Sequence, residues 1–117
     1  MGIGCSYIYT DVEESTMHIQ IVNFKLNDLS DADYRKAAAD LATAFADVDG
    51  LLSKEWLANP ATNTYGGVYH WRDRAAMEKY LASDLCNQVL AHPNLAEITS
   101  TDFEVIEAPT RITRGAM

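Results

Sequence analysis

From residue 17 onward, apolar and polar positions follow short regular patterns that change period at recognisable breaks. "MHIQIVNFKL" (17–26) alternates imperfectly and is rich in Ile, Val and Phe, which predicts a strand with at least one buried face. "NDLSDAD" then supplies a turn and a helix start, with Ser30 as N-cap and Asp33 three residues later in an acidic first turn. Tyr34, Ala37, Ala38, Leu41, Phe45 and Val48 recur at helical spacing and predict one apolar stripe packed as core, with Gly50 as its left-handed stop. "LLSKEWLANP" reads as a second strand, "ATNT" as a turn and "YGGVYHWR" as a third strand returning in a hairpin. Asp73 caps a second helix whose inner face is Ala76, Met77, Tyr80 and Leu81; "SD" at 83–84 restarts a short helix that ends at the His92-Pro93 pair. "AEITSTDFEVIEA" is the last strand.

The order β-α-β-β-α-β predicts an α+β, ferredoxin-like fold: a four-stranded antiparallel sheet with its helices on one face. The other face carries Val68 and further apolar groups, and a second copy packed sheet against sheet is the simplest cover. A homodimer through the helix-free face is therefore expected. Three regions follow along the chain: an arm or leader over 1–16 ending in the acidic "DVEEST", the folded domain over 17–108, and a short mobile tail over 109–117 opening at Pro109.

Composition narrows the partners. In a chain of 117 residues, seventeen acids against nine scattered bases give a net charge of −8, which argues against nucleic-acid binding because phosphate neutralisation needs clustered Lys and Arg. No apolar run approaches a membrane span. Cys5 and Cys86 fit neither a metal-ligand spacing nor a disulfide framework, so free thiols in a reducing cytoplasm are expected. The start "MGIGCS" fits a short myristoylation pattern with a neighbouring cysteine, but an irregular leader is the simpler and favoured account. Three histidines without close spacing give no metal signal.

The chemistry concentrates in "YGGVYHWRD", residues 65–73. Adjacent glycines weaken a strand unless another group comes close. Period-two alternation puts Tyr65, Gly67, Tyr69 and Trp71 on one face, and Gly66, Val68 and His70 on the other. His70 then belongs to the interface side, His18 to the structure, and His92 to a loop that either reaches a cavity mouth or stays solvated at a helix end.

"GLLSKEWLAN", "YGGVYHWRDRAAMEKYLASDL" and "FEVIEAP", in this order and spacing, resemble the YdhR-like mono-oxygenases of the dimeric α/β-barrel superfamily, beside the antibiotic-biosynthesis monooxygenases. The resemblance covers roughly Met17 to Thr113. It implies a dimeric barrel and oxidation of a small aromatic or polyketide-like compound by molecular oxygen, with no flavin and no metal. Trp71 matches the tryptophan that the oxygenases place at the end of this strand, which turns the Tyr69 face toward the helices, and Trp56 matches an aromatic position on the preceding strand. The sequence departs from the quinone-forming oxygenases in having Gly67 where they carry an asparagine, and no Arg or Lys between Leu85 and His92. Those two groups would steady a developing oxyanion.

The expected site therefore places Trp71, Tyr69 and Tyr80 in catalytic roles, with Trp56, Gly67, Asn23 and Met77 binding substrate between sheet and helices. The rings either line a cavity with open space over Gly67 or fill the gap beneath the helices. Two further functions fit the same scaffold: a cyclase or isomerase using only acid–base groups, and a non-catalytic small-molecule-binding dimer.

Overall fold

The computed structural model describes residues 16–115. The arm expected over 1–16, with its lipidation pattern and Cys5, lies outside the described residues up to position 15. The strands are β1 (His18–Leu26), β2 (Leu51–Asn59), β3 (Thr64–Trp71) and β4 (Leu95–Glu104). The helices are α1 (Asp31–Ala46), α2 (Arg74–Leu81), α3 (Asp84–Leu90) and α4 (Glu107–Ile112). All three strand pairings are antiparallel, and the sheet order is β2-β3-β1-β4, the ferredoxin-like arrangement.

The starts of the first three helices are set by their capping residues. Ser30, Asp73 and Ser83 accept hydrogen bonds from the backbone N–H groups of Asp33, Ala76 and Cys86 respectively, each three residues on. The α1 stop differs from expectation. The helix ends at Ala46 with Asp47 as C-cap, and Gly50 serves the turn into β2, where a Cβ would strike the Ala76 side chain. The α1 stripe is also only partly core. Tyr34 and Phe45 are buried at its two ends, but Leu41 between them is 41% exposed and Ala37 is exposed. Small side chains in the middle of the helix leave space beneath it. On α2, Ala76, Met77 and Tyr80 are buried as expected, while Leu81 turns outward.

The expected tail from Pro109 opens in a helix: α4 continues to Ile112, with Pro109 in the first turn, where its missing N–H costs no helical hydrogen bond.

The register assigns the faces. His18, Gln20, Val22 and Phe24 stand opposite Trp71, Tyr69, Gly67 and Tyr65, and these eight residues share the helix-covered face. The far end of β3 is anchored as well, because the Tyr65 hydroxyl donates to Asp31 at the start of α1 at 2.6 Å. That bond, followed by Arg35, holds the Asp31 carboxyl below its usual range. The opposite face presents Ile19, Ile21, Leu57 and Val68 half-buried and Phe103 exposed, with His70 bound to Glu55 at 2.8 Å.

The two glycines do different work. Gly66 has φ +155°, and a Cβ there would fall on the Val22 carbonyl oxygen, so β1 and β3 approach as they do only because position 66 has no side chain. At Gly67 the nearest obstacle is the Lys54 Cε at 2.9 Å, the end of a flexible side chain. Gly66→Ala is predicted to lose about 2 kcal/mol or more through strain and overpacking. Gly67→Ala should lose clearly less. Urea melts of the two variants check the ranking, and equal losses would refute this account of the pair.

Candidate active site

The rings of the helix-covered face form two neighbouring zones. In the first, Trp71 is fully buried and stacks on Tyr69 at 5.9 Å and 9°. Tyr80 from α2 packs against both at 5.4 and 5.8 Å. The indole N–H of Trp71 donates to the Gln20 side-chain oxygen at 3.1 Å, and the Gln20 amide donates to Ser100 at 2.9 Å. The indole N–H and the Gln20 amide are thus satisfied inside the protein. Met77 and Cys86 are buried in the same cluster.

In the second zone the side chains part. A cavity of about 70 Å³ lies between the sheet and the middle of α1. Val22, Phe24, Trp56 and Tyr69 line its sheet side, Ala37, Ala38 and Leu41 its roof, and Val89, His92 and Leu95 its far edge. A backbone N–H from Asn94 donates to His92 Nδ1 at 3.1 Å, which leaves the ring proton of neutral His92 on Nε2. His92 thus edges the cavity while staying exposed just past the end of α3. Phe45 closes the cavity against the first zone, edge-on to Trp56 at 5.4 Å and to Tyr69 at 6.0 Å.

Lys54 also lines this cavity, a residue that no motif or charge cluster marks in the sequence. It stands opposite Tyr69 on the edge strand β2, two residues before Trp56, and therefore on the helix-covered face. Its Nζ lies 3.5 Å from the ring centres of Phe45 and Trp56 and 4.5 Å from that of Tyr69. It forms no ion pair or hydrogen bond with any described residue. Burial pushes its ammonium down to about 7. The ring faces attract the cation and oppose that shift, at about 0.5–2 kcal/mol each. Desolvation and the ring faces thus act on the ammonium in opposite directions. The phenols around it move the other way: burial holds Tyr34 and Tyr69 up to about 12, and Tyr80 well above its usual range, so all three stay protonated donors. Burial likewise raises the Cys86 thiol.

The expected site residues separate accordingly. Tyr69 and Trp56 line the cavity. Trp71, Tyr80 and Met77 stand behind Tyr69 in the packed zone, so they support the cavity wall rather than meet its contents. Over Gly67 there is no open space for a ligand, because the Lys54 stem lies across it. Asn23 belongs to the helix-free face, paired with Gly66, and donates to the Tyr65 carbonyl at 3.4 Å; the cavity floor expected there is Val22 and Phe24.

Lys54 has a thermodynamic signature. Its folded-state pKa is depressed from 10.5 to about 7, so between those values the unfolded chain binds the extra proton and stability rises with pH. Lys54→Met is predicted to outmelt the wild type most at and below neutral pH, with the margin shrinking toward about pH 10. Paired thermal melts across that range check it; a pH-independent margin would show that Lys54 keeps an ordinary pKa.

The fold has solved counterparts. A structure described as a putative antibiotic biosynthesis monooxygenase from Deinococcus radiodurans is 23% identical, with TM-score 0.65 over 78% of this chain and 94% of that one. SnoaB, described as a cofactor-independent oxygenase from Streptomyces nogalater, is 20% identical, with TM-score 0.63 over 77% of this chain and 93% of its own. The NE2512 protein of Nitrosomonas europaea, described as of unknown function, superposes with TM-score 0.66 at 15% identity, over 81% of this chain and 94% of that one. At such identities the likeness is one of fold. No curated protein matches the chain. The sequence itself goes further: residues 19–116 match the family described as "Putative mono-oxygenase ydhR", and the chain belongs to that family.

Proposed function

We propose that the chain is a cofactor-independent monooxygenase that oxidises a small aromatic compound in the cavity beneath α1. The observation that carries this reading is the joining of family membership with an apolar, ring-lined cavity that holds one ionisable amine. An electron-rich phenol, once deprotonated, can itself pass an electron to oxygen; the protein's part is then a dry pocket, a base and a partner for the anion. Trp56 and Tyr69 supply flat walls for such a ring. The size of the cavity favours a compact substrate, because sites for drug-sized ligands span about 300–1,000 Å³.

A second reading, an acid–base enzyme such as an isomerase or cyclase, is favoured by the same amine, since Lys54 can exchange protons with a substrate whether or not oxygen takes part. In either case a second copy is proposed to cover the helix-free face, where Ile19, Ile21, Leu57, Val68 and Phe103 form an apolar surface that one protomer leaves accessible.

Oxygen uptake is expected when the protein meets mono- and polyhydroxy-benzenes in the presence of a chelator and without added flavin. Trp56→Ala, which removes one wall while leaving the Trp71 cluster intact, should reduce that uptake by about tenfold or more. Uptake equal to that of the buffer across the panel would sink the oxygenase reading, and ring isomerisation without oxygen would favour the second. Val68→Asp is predicted to convert a dimer to monomers in sedimentation, because an unpaired charge buried at the interface costs several kcal/mol. Unchanged sedimentation would place the interface elsewhere.

A further inference from the structure

Lys54 has a position that neither the family match nor the structural counterparts explain. We propose that Lys54 is the proton acceptor and anion partner of the cavity, and that its ligand is a single-ring compound with a weakly acidic hydroxyl, a phenol or a cyclic enol. The proposal rests on the cavity being the substrate site described above, and adds to it the residue and the ligand class.

Three observations carry it. The amine is built into place: Gly67 leaves room for its stem, and Phe45, Trp56 and Tyr69 surround its head on their ring faces. Among the described residues no carboxylate neutralises it. Among the lining residues the other titratable groups are Tyr34 and Tyr69, which stay protonated, and His92 at the far edge. A negative charge brought by a ligand would thus meet a cation with no internal competitor, in a poorly hydrated place where such a pair is strong. The third observation is space. A volume of about 70 Å³, small beside the roughly 300–1,000 Å³ of sites for drug-sized ligands, suits a single-ring compound better than a fused polycyclic one.

The step balances simply. The ligand's O–H bond breaks, its electron pair stays on oxygen, and the proton forms an N–H bond at the neutral Lys54 Nζ. The resulting ammonium remains between the rings and pairs with the new anion. This supplies from β2 the charge stabilisation that the missing asparagine and arginine would give elsewhere in the fold.

The probe is para-nitrophenol, whose ionised form is coloured, titrated at a pH below its own pKa. Wild-type protein is expected to bind it as nitrophenolate, so that colour grows with protein concentration to saturation. Lys54→Met, which replaces a buried amine by an apolar chain of similar length and should fold at least as well, is expected to bind about tenfold more weakly or worse, and without colour. In NMR of the wild type, the Lys54 side-chain signals should move to their ammonium positions as probe is added.

Oxygen plays no part in this titration, so failure of oxygen uptake alone leaves the Lys54 assignment standing. Colourless binding, equal binding by both proteins, an unmoved Lys54 signal, or no saturable binding to the wild type would each overturn the Lys54 assignment, while the oxygen assay would still judge the reaction.

Discussion

The hydrogen bond from the Trp71 indole to Gln20 is the contact on which the rest of the molecule turns. A fully buried indole N–H left without an acceptor would cost about 1–3 kcal/mol, and the acceptor it finds is a side chain on the neighbouring strand. This fixes the β1–β3 register: a slip of one residue would carry Gln20 to the other face and bring Ile19 or Ile21 beneath the indole. Gln20 also binds Ser100 of β4, so one amide ties three strands together. With the register set, Tyr80 and Phe45 pack from two helices onto the same rings, and the interior divides into a filled end and an open one.

The open end arises from α1. Its two large inward residues, Tyr34 and Phe45, are eleven positions apart, and the alanines between them cannot reach the sheet. Phe45 and Tyr69 form the partition, so the same side chains finish the core and begin the cavity. Lys54 sits on this partition, and its amine occupies the only place where three ring faces converge on a charged group among the described residues.

Much of the fold was legible because it is written in local chemistry. Ser30, Asp73 and Ser83 mark their helices by side-chain capping, and alternation in "YGGVYHW" separates the two faces of β3. The site was harder to read. On β1 the residues facing the helices include His18 and Gln20, while the outward ones include Ile19 and Ile21, so polarity misleads about which face is inner and Asn23 is misassigned with it. A single lysine on an edge strand reads as solvated. Its true surroundings depend on Phe45, nine residues upstream on a helix, and Tyr69, fifteen residues downstream on another strand. The one local signal was parity, since Lys54 and Trp56 must share a face. The C-terminal helix was hidden for another reason: proline halts a helix in its interior and is welcome in its first turn, and sequence alone does not say which applies at Pro109.

Burial of Cys86 has a consequence beyond packing. Oxidants attack the thiolate, and a thiol held protonated among Tyr80 and its neighbours presents almost none of that form. Peroxide reaching a thiolate there would convert a core sulfur to a swollen, polar acid. Here the tyrosine shell that completes the hydrophobic interior also shields its sulfur, so chemical endurance comes from the same contacts as folding stability.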